Sequence, residues 1–459
     1  KSILEYKDYK SEIDKKALIE YFTFQNIFTN KTLHKDIQIL EAGNFFEIDL
    51  LTNNFKKNQY WDFDFSQPET IKDEREYIEE LDRLFLQAVK RQLISDVPVG
   101  SYLSGGMDSG SITSIASKHF QQSNEFLKTF TVGFDLTSAS GLERNFDERK
   151  KAEFMSYNFN TEHYEMVLKS GDMERCLPKF SYHLEEPRVG QSYPNYYAAQ
   201  LASKFVKVVL SGVGGDEIFA GYPWRYFKAS NNKNFDDYID KYYQFWQRLV
   251  PNKEINNLFS PISDDLKNVW TRDIFKNVFK TSSLAQTTED YINHSLYFEA
   301  KTFLHGLLVL EDKLSMAHSV ETRVPFLDND LVDFAQKIPV KYKLKDINTL
   351  IEMDENEIGK IHKTNDGKII LRKSMRKHVP DNIREATKQG FSSPDQSWFK
   401  GESIEFIKQR LLNDSAKIYD YIDKKTAQNL INQHLAGEKN RRLMIWSFLN
   451  IDEYLKIYN

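Results

Sequence analysis

Two glycine-rich stretches carry the side chains that could do chemistry. The first, SGGMDS (104–109), follows the apolar run VPVGSYL (97–103). Two glycines at a strand end let the backbone approach a ligand closely. Ser104 and Ser109 add hydroxyls, and the N-terminus of the following helix offers N–H groups to an anion. A phosphate or pyrophosphate is the natural guest, although the stretch is not a Walker A sequence, because no Gly-Lys-Ser/Thr follows. A strand-to-helix turn with no ligand is the plain alternative. Asp108 shifts the balance, since an acid at an anion site makes physical sense chiefly when Mg²⁺ bridges it to phosphates. The second stretch, SGVGGDEIFAGY (211–222), places Gly212, Gly214 and Gly215 before Asp216 and Glu217. Asp216 is read as the second metal-binding acid and Glu217 as a helix-capping residue favoured by the helix dipole.

The elements around these stretches must bring both turns to one place. Ile78, Leu81, Leu84, Phe85, Ala88 and Val89 recur at helical spacing from Tyr77 onward. After them come strand candidates at 97–103, 128–134, 163–168 and 205–210, alternating with helices at 111–119, 147–157 and 193–204. That rhythm predicts a parallel sheet with helices on both faces, which binds ligands beyond the carboxyl ends of its strands. Upstream, GNFFEIDL (43–50) and NQYWDFDF (58–65), joined around Thr52, Asn53 and Asn54, read as a β-hairpin. A hairpin alone cannot bury both faces, so residues 1–65 either pack on the rest of the chain or end a larger domain. A polar linker follows at 66–76. Beyond about 231 the pattern is helical and aromatic, with no clear strand rhythm. Residues 342–367 are charged and poor in apolar side chains, and read as a mobile loop or insertion.

Composition bounds the function. The 459 residues are 40% hydrophobic and 28% charged, ordinary globular values, with a formal charge of only −5. No basic stripe suggests nucleic acid. No apolar run approaches the ~20 residues of a membrane helix. Cys176 is the sole cysteine, which excludes a disulfide framework and fits a reducing cytoplasm. The chain starts at Lys1 without a signal-peptide core.

With these residues in view, the sequence resembles the synthetase domain of the glutamine-dependent asparagine synthetases, within the PP-loop ATP pyrophosphatase superfamily. SGGMDS matches that superfamily's SGGxDS loop, and SGVGGDEIFAGY the family's SGxGxDExFGGY. SVETRVPFLD (319–328), GKIILRKSM (367–375) and KQGFSSP (388–394) resemble three later motifs in the same order. The implied fold is α/β, a parallel-sheet PP-loop (adenine nucleotide alpha hydrolase-like) domain over 77–459 with helical additions. It is preceded by a small β segment, residues 1–65, similar to the end of a glutaminase-type domain. The implied reaction is adenylation of a carboxylate, aspartate first among candidates, by ATP with Mg²⁺, followed by attack of ammonia taken from glutamine or solution. Ser104, Gly105, Gly106, Asp108, Ser109, Ser211 and Gly212 would cradle the phosphates. Leu103, Val132 and Gly133 would meet adenine through the backbone, and Asp108 and Asp216 would hold the metal. By its match to the family lysine, Lys368 is the cation for the charge developing on the α-phosphate, and is expected to be ordered by ATP rather than preset. Arg323 either recognises a carboxylate or pairs with Glu321 or Asp328. Asp312 occupies a position that is functional in relatives, and His163 reads as structural. The resemblance implies small-molecule partners, no nucleic acid and no membrane, and is compatible with a homodimer.

Two departures from the family pattern stand out. The glutaminase route needs an N-terminal cysteine, and this chain has Lys1 there. Val213 occupies the turn position where typical asparagine synthetases carry glutamate, many relatives aspartate and β-lactam synthetases tyrosine. Valine cannot accept a proton, so adenylation is expected to survive while acceptor and amine stay open. Intramolecular amide closure and a nucleotide-binding scaffold are the competing readings.

Overall fold

The computed structural model describes residues 1–140, 143–144, 146–230, 232–280, 286–346, 366–386 and 393–459. The segment read as a mobile loop falls largely outside the described residues, at 347–365, as does most of KQGFSSP, at 387–392.

The first helix, α1 (Lys15–Phe24), was not anticipated. Asp14 caps it, accepting from the Lys16 and Ala17 N–H groups at 2.8 and 3.0 Å. Every residue from Ala17 to Phe24 is buried, so no amphipathic stripe marks it in the sequence. Its side chains share one core with Leu177, Phe180, Trp446 and Phe448 from distant parts of the chain. Strands β1 (Asn44–Ile48) and β2 (Phe55–Gln59) form the expected antiparallel hairpin. The second strand lies earlier than the aromatic run suggested. Residues from Asp62 onward leave the ribbon because Asp62 accepts from Lys301 Nζ at 2.9 Å and Tyr297 Oη at 3.0 Å.

Helix α2 (Glu74–Gln92) begins with a capping box of Asp73 and Glu76 and leads into the sheet. Strands β3 (Val99–Tyr102), β4 (Lys128–Phe134), β5 (Glu162–Leu168), β6 (Val208–Leu210) and β7 (Glu321–Arg323) are all parallel, in the order β5-β4-β3-β6-β7. In β6, Val208 and Leu210 pack with the core of α2, α3 (Met107–Gln122) and α4 (Arg149–Phe159), whereas Val209 faces a separate cluster with Leu201 and Ala202. Helices therefore cover both faces, α5 (Ser170–Leu184) and α6 (Tyr193–Ala202) lying opposite α2–α4.

Strand β7 lies in the region beyond residue 231 where the sequence shows no clear strand rhythm. Glu-Thr-Arg is a polar triplet at the sheet edge, without the apolar run that marks a buried strand. The rest of that region is helical as expected. It includes two helices, Thr288–Glu299 and His305–Met316, joined by a π-helical turn at Ala300–Leu304.

Strands β3, β4 and β5 build outward in one direction and β6 and β7 in the other. The order therefore reverses between β3 and β6, and a crevice at the carboxyl ends of such a pair is where ligands bind in open parallel sheets. Both glycine turns emerge there.

Candidate active site

The turn after β3 runs into the N-terminus of α3, with Gly106 as the capping residue. The Ser109 hydroxyl accepts from the Ser104 backbone N–H at 3.1 Å and lies 3.1 Å from the Ser104 hydroxyl, so the two serines pin the loop across its mouth. Gly105 has φ +76°, and a side chain there would meet Lys151 and the Glu148 carbonyl. The segment 147–151 thus forms a further wall of the site, one that the motif reading did not include. A Cβ on Gly133 would strike the Arg149 side chain and Asp147, which are joined by an Arg149 Nη2–Asp147 Oδ2 bond of 2.7 Å. Pairing between β3 and β4 ends at Tyr102–Phe130, while β4 continues along β5 to Phe134. The β3-side edge of β4 at Val132 and Gly133 therefore has no strand neighbour among the described residues, a geometry suited to backbone contact with a flat ring. Leu103 and Val132 keep their side chains in the core.

The turn after β6 packs directly on this loop. A Cβ on Gly212 would lie 3.0 Å from the Ser109 nitrogen and 3.2 Å from Asp108 Cβ. The glycine that the sequence assigned to ligand approach thus first permits the two turns to approach each other. Val213 is partly exposed at the tip. Asp216 and Glu217 lie in α7 (Gly215–Ile218), a single helical turn. Glu217 is buried and accepts from Tyr222 Oη at 3.1 Å. Burial, and then the charge of Asp216, push its pKa up.

Lys368 joins the two turns. Its ammonium lies 2.7 and 2.6 Å from the Asp108 carboxylate oxygens and 2.5 Å from Asp216 Oδ1. Its side chain is 5% exposed, against 15% for Asp108 and 10% for Asp216. Contrary to the expectation that nucleotide orders it, the lysine is preset. Ile370 and Leu371 bury themselves in the α2–α4 core, and Arg372 Nε donates to the Gly367 carbonyl at 3.1 Å. The Lys368 N–H reaches the Phe219 carbonyl at 3.2 Å. Its φ of +57° is a left-handed conformation in a non-glycine residue, held by this surrounding packing.

Other expected residues fall differently. Arg323 Nε donates to Glu321 Oε1 at 2.6 Å, and its Nη1 to the Gln92 and Ile94 carbonyls, both at 2.7 Å. Of its two readings, the fold-holding pair is the one present, while Asp328 pairs with Arg91 instead. Asp312 is exposed. Its neighbour Glu311, which sequence reasoning passed over, is 7% exposed. Glu311 accepts from Asn195 Nδ2 at 3.0 Å, with the Ser211 hydroxyl beside it. His163 lies between Thr129 and Glu165 in β5, at the register position opposite Thr129 near the amino end of β4. Cys176 is buried, and burial pushes its thiol well up.

The residues present fit Mg²⁺ as a partner of bound phosphates. Two carboxylates, Asp108 and Asp216, converge on one point beside the loop, but among the described residues no group of three or more His, Cys, Asp or Glu could hold a metal ion. Mg²⁺ commonly takes one or two carboxylates and completes its shell with substrate oxygens and water. Among the described residues, no helix is long and apolar enough to cross a membrane.

The chain matches known proteins along most of its length. The Asparagine synthase family model matches residues 80–456. The glutamine-hydrolyzing Asparagine synthetase 1 of Bacillus subtilis (strain 168) is 29% identical over 95% of this chain and 68% of its own length. Asparagine synthetase 3 of the same organism is 26% identical over 94% of this chain and 66% of its own. Amidase chyE of Penicillium rubens is 22% identical over 82% of this chain and 62% of its own length. The chain belongs to the asparagine synthase family.

Proposed function

We propose that this protein is an ATP-dependent amide synthetase that adenylates a small-molecule carboxylate, releases pyrophosphate, and amidates the acyl-adenylate with ammonia, free or derived from glutamine. The observation that carries this reading is Lys368, an ammonium seated between Asp108 and Asp216 where two glycine turns meet at the strand reversal. A carboxylate is a poor electrophile because its oxygen leaves badly, and transfer of AMP to that oxygen makes it a leaving group. The loop 104–109 and the N-terminus of α3 receive the phosphates, and Lys368 meets the charge that grows on them as the α-phosphate is attacked. Asp108 and Asp216 would hold Mg²⁺, which would neutralise pyrophosphate as it departs. The uncovered edge at Val132 and Gly133 receives adenine.

Aspartate is the first candidate acid, from the names of the asparagine synthetase relatives. A second reading, amidation of an acid other than aspartate, is favoured by Val213 and by the amidase name of the Penicillium relative. The test is ATP–pyrophosphate exchange with aspartate, uronic acids and peptide acids, followed by product mass after addition of ammonium. Exchange with one acid, lost in Asp108→Ala, identifies the substrate. A product that has lost water instead of exchanging OH for NH₂ indicates intramolecular closure. No exchange with any acid refutes the synthetase reading.

A further inference from the structure

The lip formed by the second glycine turn has no side chain of its own that can take a proton, since Val213 stands at its tip. The two acids that follow are engaged: Asp216 by the Lys368 ammonium, Glu217 by the Tyr222 hydroxyl. An amine that attacks an acyl carbon must nevertheless shed a proton, so the site needs an acceptor from elsewhere in the fold.

The helix His305–Met316 supplies one. Its Glu311 carboxyl is buried, held by the Asn195 amide from α6 at 3.0 Å, with the Ser211 hydroxyl beside it at the start of the turn. Ser211 is the last residue before the turn's close approach to the phosphate loop, where a Cβ on the next residue, Gly212, would lie 3.0 Å from the Ser109 nitrogen. The hydrogen-bond partner of Glu311, Asn195, is neutral, and among the described residues no cation pairs with Glu311. Its charge, after burial, helps to raise the pKa of the Tyr102 phenol, from the end of β3. Burying a carboxylate with no compensating cation is costly, and a glutamine could make similar bonds without the charge. Burial also raises the proton affinity of Glu311, the direction expected of a base at neutral pH.

We infer that Glu311, beside Ser211, accepts the proton of the nitrogen nucleophile in the second half-reaction, the role that Val213 cannot fill; this rests on the amide-synthetase reading above. The nitrogen lone pair forms the new C–N bond. The bond from the acyl carbon to the phosphate oxygen breaks, and its electron pair leaves with AMP. The surplus proton on nitrogen passes through the Ser211 hydroxyl to the Glu311 carboxylate and then to solvent. With ammonia the products are the amide, AMP and one proton.

The two half-reactions separate in the test. Exchange of ATP with pyrophosphate reports adenylation alone, whereas amide formed after addition of ammonium chloride reports both steps. In Glu311→Gln we expect exchange within about threefold of wild type and amide formation reduced by about 10²–10⁴, the usual loss for a removed general base. Glu311→Asp should fall between the two. The deficit should be smaller with hydroxylamine, whose less basic nitrogen adduct sheds its proton with less help. Amide formation at the wild-type rate in Glu311→Gln overturns the inference. So does parallel loss of exchange and amide formation, which is the signature of a structural residue. Absence of exchange in the wild type with every acid is a different result, and defeats the synthetase reading together with this inference.

Discussion

Replacing Lys368 by methionine keeps most of the apolar stem and removes one buried charge. The Asp108 and Asp216 oxygens that contact the ammonium lie 2.5–2.7 Å from it, so they can be no more than about 5 Å from each other. Two carboxylates at that separation, in surroundings of effective dielectric near 20, repel by about 3 kcal/mol. That agrees with the lower end of the ~3–5 kcal/mol lost when one partner of a buried ion pair is removed. The sign with pH follows from linkage. In Lys368→Met one carboxyl of the folded pair binds a proton more readily than in the unfolded chain. The variant is therefore relieved below the ordinary carboxylate range and penalised as pH rises through the higher folded value. Thermal unfolding at pH 8 and pH 5 is the assay: a large drop in midpoint at pH 8 and roughly half of it at pH 5. Added Mg²⁺ should raise the midpoint of Lys368→Met more than that of the wild type, because the lysine no longer competes for the two acids. Pyrophosphate exchange should fall by about 10²–10³, as when one preorganised donor to a developing anion is removed. An equal deficit at both pH values, with no response to Mg²⁺, would refute the electrostatic argument.

The other expectations are simpler. Arg323→Ala leaves the Gln92 and Ile94 carbonyls and Glu321 without their guanidinium. It should lower stability by about 1–3 kcal/mol and leave KM for the acid unchanged; a raised KM with an unaltered unfolding midpoint would restore Arg323 as a carboxylate reader. Lys343 is fully buried with its Nζ 5.1 Å from the Phe65 ring and no hydrogen-bond partner among the described residues, and burial pulls its pKa from 10.5 to about 7. Between those values the unfolded chain holds a proton that the folded chain does not, so wild-type stability rises with pH there. Lys343→Met should therefore be the more stable protein by about 3–5 kcal/mol below pH 7, with the advantage shrinking toward pH 10. Denaturation of both proteins across that range checks the slope, and a constant difference would show that Lys343 is not the titrating group.

Much of the sheet was legible because β3, β4 and β6 are largely apolar runs bounded by turns, and because glycine at a strand end carries a backbone signal that survives in any context. The motifs placed Asp108, Asp216 and Lys368 together before any contact was visible. What escaped detection was whatever local pattern does not encode. Helix α1 is buried on all sides, so it has no stripe, and β7 is three polar residues whose strand geometry comes only from pairing with β6. The aromatic run after Gln59 looked like strand, yet Asp62 is drawn away by Lys301 and Tyr297.

By itself, then, the sequence determined the alternation of strands and helices, the two glycine turns and the identity of the side chains that meet between them. Only the tertiary structure decided how those side chains are used. It made Lys368 preset, because Ile370, Leu371 and Arg372 anchor its backbone. It gave Arg323 to the fold, and it turned Glu311 inward while Asp312 faces solvent. Adjacent helix residues point about 100° apart, and which of two neighbouring acids reaches a site is set by how the whole helix packs.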